Sequence, residues 1–81
     1  MISELKNSDK YVGFKQSRRA IEEGRAAKAF IAQDCDGGIR GELRALCESR
    51  GVPVEYVSEM KQLGEACGID KGASVAVVLK V

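Results

Sequence analysis

Two rhythms alternate along this chain: short blocks of consecutive apolar residues, and longer stretches in which apolar residues return every three or four positions. The first is the rhythm of buried strands, the second that of helices with one buried face. Residues 1–7 set Ile2 and Leu5 on one side of a short helix, and residues 11–13 form a short strand. A helix then runs from Lys15 or Gln16 to Glu23 with Ala20 and Ile21 inward, and Gly24 ends it by accepting left-handed backbone. Residues 29–33, centred on Phe30 and Ile31, read as a buried strand ending in the polar turn Asp34-Cys35-Asp36-Gly37-Gly38. Asp36 is placed to cap a helix carrying Ile39, Leu43, Leu46 and Cys47 on one face, which Gly51 and Pro53 close. Val54–Val57 is the next strand, and Ser58 the expected N-cap of a helix whose Met60, Leu63, Gly64 and Cys67 share a face and which Gly68 ends. Residues 73–79 form the last strand, apolar almost without interruption and therefore expected at the centre of a sheet covered on both sides. Strands alternating with helices imply a single-domain α/β fold, a three-layer α-β-α sandwich around a mixed four-stranded sheet with right-handed crossovers.

Charge adds something that this pattern does not explain. Lys15, Arg18 and Arg19 crowd the start of the first long helix while Glu22 and Glu23 sit at its end. The helix dipole favours the opposite order, by about 0.3–1 kcal/mol per surface charge. Free N–H groups at a helix start together with three cations make a place for phosphate. The competing reading is an ordinary solvated basic face, and this window alone leaves both open. The formal net charge of the 81 residues is only +1, so any polyanion site must be a local patch. Residues 1–28 hold seven basic and four acidic side chains against six and eight in the remainder, which points to the N-terminal third. With 44% hydrophobic residues, 31% charged and one proline, the composition is that of a small folded domain rather than a disordered segment.

The chemical inventory narrows the function further. There is no histidine, so the commonest acid/base at neutral pH is missing and neither a Cys-His nor a Ser-His nucleophile can be assembled. Cys35, Cys47 and Cys67 are odd in number and widely spaced, which argues against zinc and against a disulfide framework. Cys47 and Cys67 fall on apolar helix faces and are expected as small core residues in a reducing compartment. Asp34-x-Asp36-Gly37 lacks the later glycine and closing glutamate of a calcium loop, and no metal or other cofactor is expected. Glu22 and Glu23 are adjacent and diverge around a helix, so they form no hydrolytic dyad. Tyr11, Phe14, Phe30 and Tyr56 are too scattered to stack successive bases of a single strand. No apolar run is long enough to cross a bilayer, and the first ten residues are too polar for a signal peptide, so the expected location is the cytoplasm.

Two stretches remain. Gly13-Phe14-Lys15-Gln16-Ser17-Arg18-Arg19 sets a glycine before a basic helix opening, and Lys61-x-Leu63-Gly64-x-Ala66-x-Gly68-Ile69-Asp70 precedes the small residues Gly72-Ala73-Ser74. In this order and spacing the two resemble the signatures of the kink-turn RNA-binding ribosomal proteins of the L-seven-Ae type and their small bacterial relatives. The resemblance spans nearly the whole chain. Where that family has Asn-Glu-x-x-Lys, this sequence has Lys15-Gln16-x-x-Arg19, and Lys-Gln is common in the bacterial relatives.

The resemblance implies binding to a sharply bent RNA duplex with tandem sheared G·A pairs beside a three-nucleotide bulge. An ordinary A-form major groove is too deep and narrow to read, so the first helix would enter where the bend opens it. Gly13 would let the backbone approach the RNA, Gln16 would pair with a guanine edge, and Arg19, at i+3 on the same face, would donate to guanine or phosphate. Lys15, Arg18 and Lys61 would neutralise phosphates. The loop Ile69-Asp70-Lys71 would cover a nucleotide extruded from the bulge, with Lys71 standing where the family often has an apolar residue. Exchanging Asn-Glu for Lys-Gln replaces a negative charge by a positive one. The expectation is less base discrimination and a steeper salt dependence, at about 0.9 in slope per phosphate neutralised.

The implied partner is structured RNA containing a kink-turn, with the ribosome or ribosomal RNA as candidates, and neither membrane nor DNA; the chain is expected to act as a monomer without catalysis. Two other readings stand beside it: a protein-interaction module on the same scaffold within a ribonucleoprotein assembly, and a thiol-dependent enzyme using Cys35 in an exposed turn. Purely structural roles also remain for single residues. Gln16 could be a solvated helix residue, Arg19 could serve only to pair with Glu23, and Ile69 could be the apolar contact that accompanies the Gly68 cap.

Overall fold

The computed structural model describes residues 2–80. A 3-10 helix, Ile2–Lys6, is followed by β1 (Lys10–Val12), α1 (Phe14–Glu22), β2 (Ala26–Ala32), α2 (Gly37–Arg50), β3 (Val54–Val57), α3 (Met60–Ala66) and β4 (Val75–Leu79). The strands form one mixed sheet in the order β1-β4-β2-β3. β4 runs antiparallel to both its neighbours, with Tyr11 opposite Val77 on one side and Phe30 opposite Ala76 on the other, while β2 and β3 are parallel. The expected three-layer sandwich is what forms: α1 and α2 pack together on one face, α3 and the 3-10 segment on the other.

The continuous apolar run of the last strand has its physical reason in this order. Val75, Ala76 and Val77 are wholly buried because β4 has a strand on each side and helices above and below. Phe30 and Ile31 of β2, Ile21 of α1, Leu43 and Cys47 of α2 and Leu63 of α3 complete the core. Leu5 of the 3-10 segment is also fully buried. That segment is held over the sheet by Lys28, whose ammonium donates to Glu4 at 2.9 Å and to Glu55 at 2.8 Å and lies 5.1 Å from the Phe30 ring. Lys28 in turn holds the Glu55 carboxyl below its ordinary value.

Several boundaries differ from the sequence reading, each for a local reason. The first helix is 3-10, and Met1 and the Ile2 side chain lie outside the described part. Gly13 does not end the first strand. It is the N-cap of α1 at φ 105°, ψ 159°, a region open essentially to glycine alone, and the helix begins at Phe14. β2 begins at Ala26, three residues earlier than its apolar block, because its first residues pair with the end of β4 around an irregularity between Ala26 and Lys28. Residues 73 and 74 precede β4 rather than belonging to it.

Asp36 caps α2 as expected, accepting from the amides of Gly38 at 2.7 Å and Ile39 at 3.2 Å. Ser58 does not cap α3. Glu59 holds the N-cap position without a side-chain bond, and the Met60 amide is served instead by Asp34 from the β2–α2 turn, at 2.7 Å. Cys47 is fully buried as expected, but Cys67 is only half-buried, one position beyond the last helical residue.

Candidate nucleic-acid interface

Topology gathers the two signature segments at one end of the sheet. β1, β2 and β3 all run one way and β4 runs back, so the starts of α1, α2 and α3 and the loop that enters β4 share that end. Short hydrogen bonds tie these pieces together. The Gly13 amide donates to the Val75 carbonyl at 2.9 Å, Ala32 to Ser74 at 2.8 Å and Ala73 to Met60 at 3.0 Å. Gly13, at the mouth of α1, is thus bonded directly to the first residue of β4, just past the loop that carries Ile69, Asp70 and Lys71.

The loop is seated by glycines that the second signature contains. A Cβ on Gly64 would overlap the backbone carbonyl of Lys71, and one on Gly72 would press to 3.1 Å against Met60. Gly64 therefore lets residues 71 and 72 lie directly on α3, while Gly68 makes the turn at φ 79° and the Ile69 amide donates to the Gly64 carbonyl at 3.1 Å. Ile69 is half-buried, and Asp70 and Lys71 are exposed beside it. Lys61, exposed in the first turn of α3, lies at the same end.

On α1, burial divides the residues by helical period. Ser17, Ala20 and Ile21 face the core, and Lys15, Gln16, Arg18 and Arg19 are exposed. Among the described residues no side chain caps the first amides of α1. Gln16 and Arg19 line one open groove of about 410 Å³ together with Tyr11, Glu23 and Arg25. Arg19 pairs with Glu23 at 3.2 Å, the i,i+4 contact anticipated as its structural alternative, yet remains 79% exposed. Arg18 points elsewhere. It lies over the Phe14 ring at 5.6 Å and pairs with Glu42 of α2 at 3.1 Å, so the structure does not bring it into the groove of Gln16 and Arg19.

The sequence reading missed Tyr11 and Arg25. The Arg25 guanidinium sits 5.3 Å from the Tyr11 ring and 3.5 Å from Glu23. Nothing local announces this, since the pair forms only when β1 and the start of β2 close against α1. Cys35, the nucleophile of the enzymatic reading, is 6% exposed, and burial raises its thiol pKa, with Arg40 opposing; Cys47 is pushed up to about 11 by burial alone. Both shifts are the reverse of thiol activation. Among the described residues no cluster of three or more Cys, Asp or Glu is arranged to hold a metal ion, and no helix is long and apolar enough to cross a membrane.

Fold and site together define a small α/β sandwich whose basic helix opening and glycine-seated loop share one end. The chain belongs to the ribosomal protein L7Ae/L30e/S12e/Gadd45 family, whose model matches residues 1–81. An RNA-binding protein of Geobacillus kaustophilus is 41% identical over 69 residues, 85% of this chain and 84% of that one. One of Caldanaerobacter subterraneus subsp. tengcongensis is 37% identical over 65 residues, 80% of this chain and 79% of the other. Among solved structures, the Giardia lamblia 15.5kD RNA-binding protein superposes with a TM-score of 0.87 at 25% identity, covering 99% of this chain and 68% of that one. A Bacillus halodurans protein of unknown function superposes with a TM-score of 0.88 at 23% identity, 99% of this chain and 84% of the other, a likeness of fold alone.

Proposed function

We propose that residues 1–81 act as a single, non-catalytic RNA-binding domain that recognises and stabilises kink-turn RNA, as a cytoplasmic ribosomal or ribosome-associated monomer. The observation that carries this reading is the meeting, at one end of the sheet, of the uncapped basic opening of α1 and the loop 69–72 that Gly64 and Gly72 seat on α3. The names of the bacterial relatives and of the Giardia protein support RNA as the ligand class.

The mechanism follows from where charge and hydrogen bonding are exposed. Gln16 offers an amide that both donates and accepts, matched to a guanine edge opened by sheared pairing, and Arg19 donates beside it. Lys15 and Lys61 attract the backbone without reading sequence. The loop residues Ile69 and Lys71 cover the nucleotide thrown out at the bulge, one by apolar contact and the other by charge. Such a surface fits bent RNA and not a straight helix. Binding therefore shifts a bending equilibrium by its differential affinity for the two states.

The test is energy transfer across a short kink-turn RNA labelled at both ends, without divalent ions, beside a control in which the sheared G·A pairs are replaced by Watson–Crick pairs. Tight binding that draws the ends together only in the intact RNA is the expected result. Equal binding to both RNAs reduces the surface to non-specific electrostatics, and no binding to either favours the protein-interaction reading.

A further inference from the structure

The stripe that carries Gln16 and Arg19 continues one turn further to Glu23, about 10 Å from Gln16 at the helical rise, and the groove beside it closes on Arg25 and Tyr11. Here the two oxygens of one carboxylate are divided between two guanidiniums. Glu23 Oε2 accepts from Arg19 Nε at 3.2 Å, and Oε1 lies 3.5 Å from Arg25 Nη1. Arg25 is set in place from both sides of its backbone, its amide donating to Ala20 at 2.9 Å and its carbonyl accepting from Lys80 at 2.8 Å, while its guanidinium rests against the Tyr11 ring. It is nonetheless half exposed.

The arrangement gives the acidic end of α1 a local reason, and Arg19, expected at the helix start, in fact stands in its last turn, where a cation suits the dipole. An acidic residue at a helix C-terminus opposes the dipole, but Glu23 holds two arginines side by side that would otherwise repel each other across the groove. Ion pairs this exposed are weak and screened, whereas a phosphate offers the planar guanidinium two oxygens for a bidentate contact.

We infer that the groove between α1 and β1 is a second phosphate-contact site, in which Arg25 binds the RNA backbone of the stem next to the bend and Glu23 is the carboxylate that this phosphate displaces. The inference rests on the kink-turn reading and extends it by a contact that neither signature segment contains. Glu23 thus sets affinity without touching a base.

The experiment measures dissociation constants for the intact kink-turn RNA over a range of salt concentrations, using the unaltered protein, Arg25→Gln and Glu23→Gln, with thermal unfolding of each as the check on folding. Arg25→Gln, which removes the charge and leaves a shorter polar side chain, is expected to weaken binding roughly five- to tenfold at low salt and to reduce the salt slope by about 0.9, one phosphate's share. Glu23→Gln is expected to tighten binding severalfold. Normal binding by the unaltered protein, with Arg25→Gln matching it in affinity and slope, overturns the inference and leaves the kink-turn reading intact, as does a Glu23→Gln that leaves affinity unchanged or weaker. Failure of the unaltered protein to bind either this RNA or the Watson–Crick control overturns both together.

Discussion

The openings of α1 and α2 lie at the same end of the same sheet and are treated in opposite ways. α2 starts at Asp36, whose carboxylate takes the amides of Gly38 and Ile39, and the turn before it is acidic. α1 starts at Gly13, which has no side chain to offer, and the exposed residues of its first turns are Lys15, Gln16, Arg18 and Arg19. Asp34 even reaches across to cap α3. Two helix openings of the fold are thus met by carboxylates, and the third, which is basic, is the one that the proposed RNA contact uses.

The largest effect is expected where that opening meets its companion loop. Gly64→Ala drives a Cβ into the Lys71 carbonyl, so it should lower stability by about 1–3 kcal/mol and displace the loop, read as a fall in the unfolding midpoint and in RNA affinity together. Gly13→Ala strains backbone that only glycine accepts comfortably, and thermal unfolding should register a loss of about 1–3 kcal/mol. The two helix openings are then separated by a crossed pair of variants. Gln16→Ala should weaken RNA binding by about 1–3 kcal/mol with an unchanged unfolding midpoint. Asp36→Ala should do the reverse, costing about 0.5–2 kcal/mol of stability with RNA affinity preserved. If both variants moved both quantities alike, the distinction between the two openings would collapse.

Two smaller effects sharpen the same contrast. Ser17, on the buried side of α1, has a hydroxyl with no hydrogen-bond partner among the described residues, so Ser17→Ala should be neutral or slightly stabilising in denaturant titration and silent toward RNA. On the far face of the sheet, Lys28 depresses the Glu55 pKa below its ordinary 4.5. A depressed carboxylate stabilises the fold above its unfolded pKa, and that contribution is lost as the pH falls through the lower folded value. Urea titrations below pH 4.5 should therefore show Lys28→Met losing less stability with acid than the unaltered protein, with RNA binding at neutral pH unaffected.

What the sequence disclosed follows from which interactions are local. The α2 cap at Asp36, the turn at Gly68 and the buried run of β4 depend on neighbours in the chain or on hydrophobic pattern, and all were legible. The cap on α3 was not, because Asp34 is 26 positions from Met60 and only the parallel pairing of β2 with β3 brings them together. The early start of β2 was hidden by alanines and by Lys28, whose burial depends on two carboxylates distant in sequence. In the candidate site, Gly13, Gln16, Arg19 and the loop 69–71 were visible through resemblance, and their meeting at one sheet end follows from topology. Arg18 was grouped with Lys15 and Lys61 as a phosphate contact, although a position two residues from Gln16 lies around the helix and its side chain meets α2 instead. Tyr11 and Arg25 left no trace, since an arginine at a strand start and a tyrosine on an edge strand are individually unremarked.

The most direct measurement of the central claim is backbone amide NMR of the protein as kink-turn RNA is added. The account predicts the largest shifts at Phe14, Lys15 and Gln16 and in residues 69–72, with Gly38 and Ile39 held unchanged by Asp36. Shifts centred on Gly38 and Ile39, with the opening of α1 left unmoved, would contradict it.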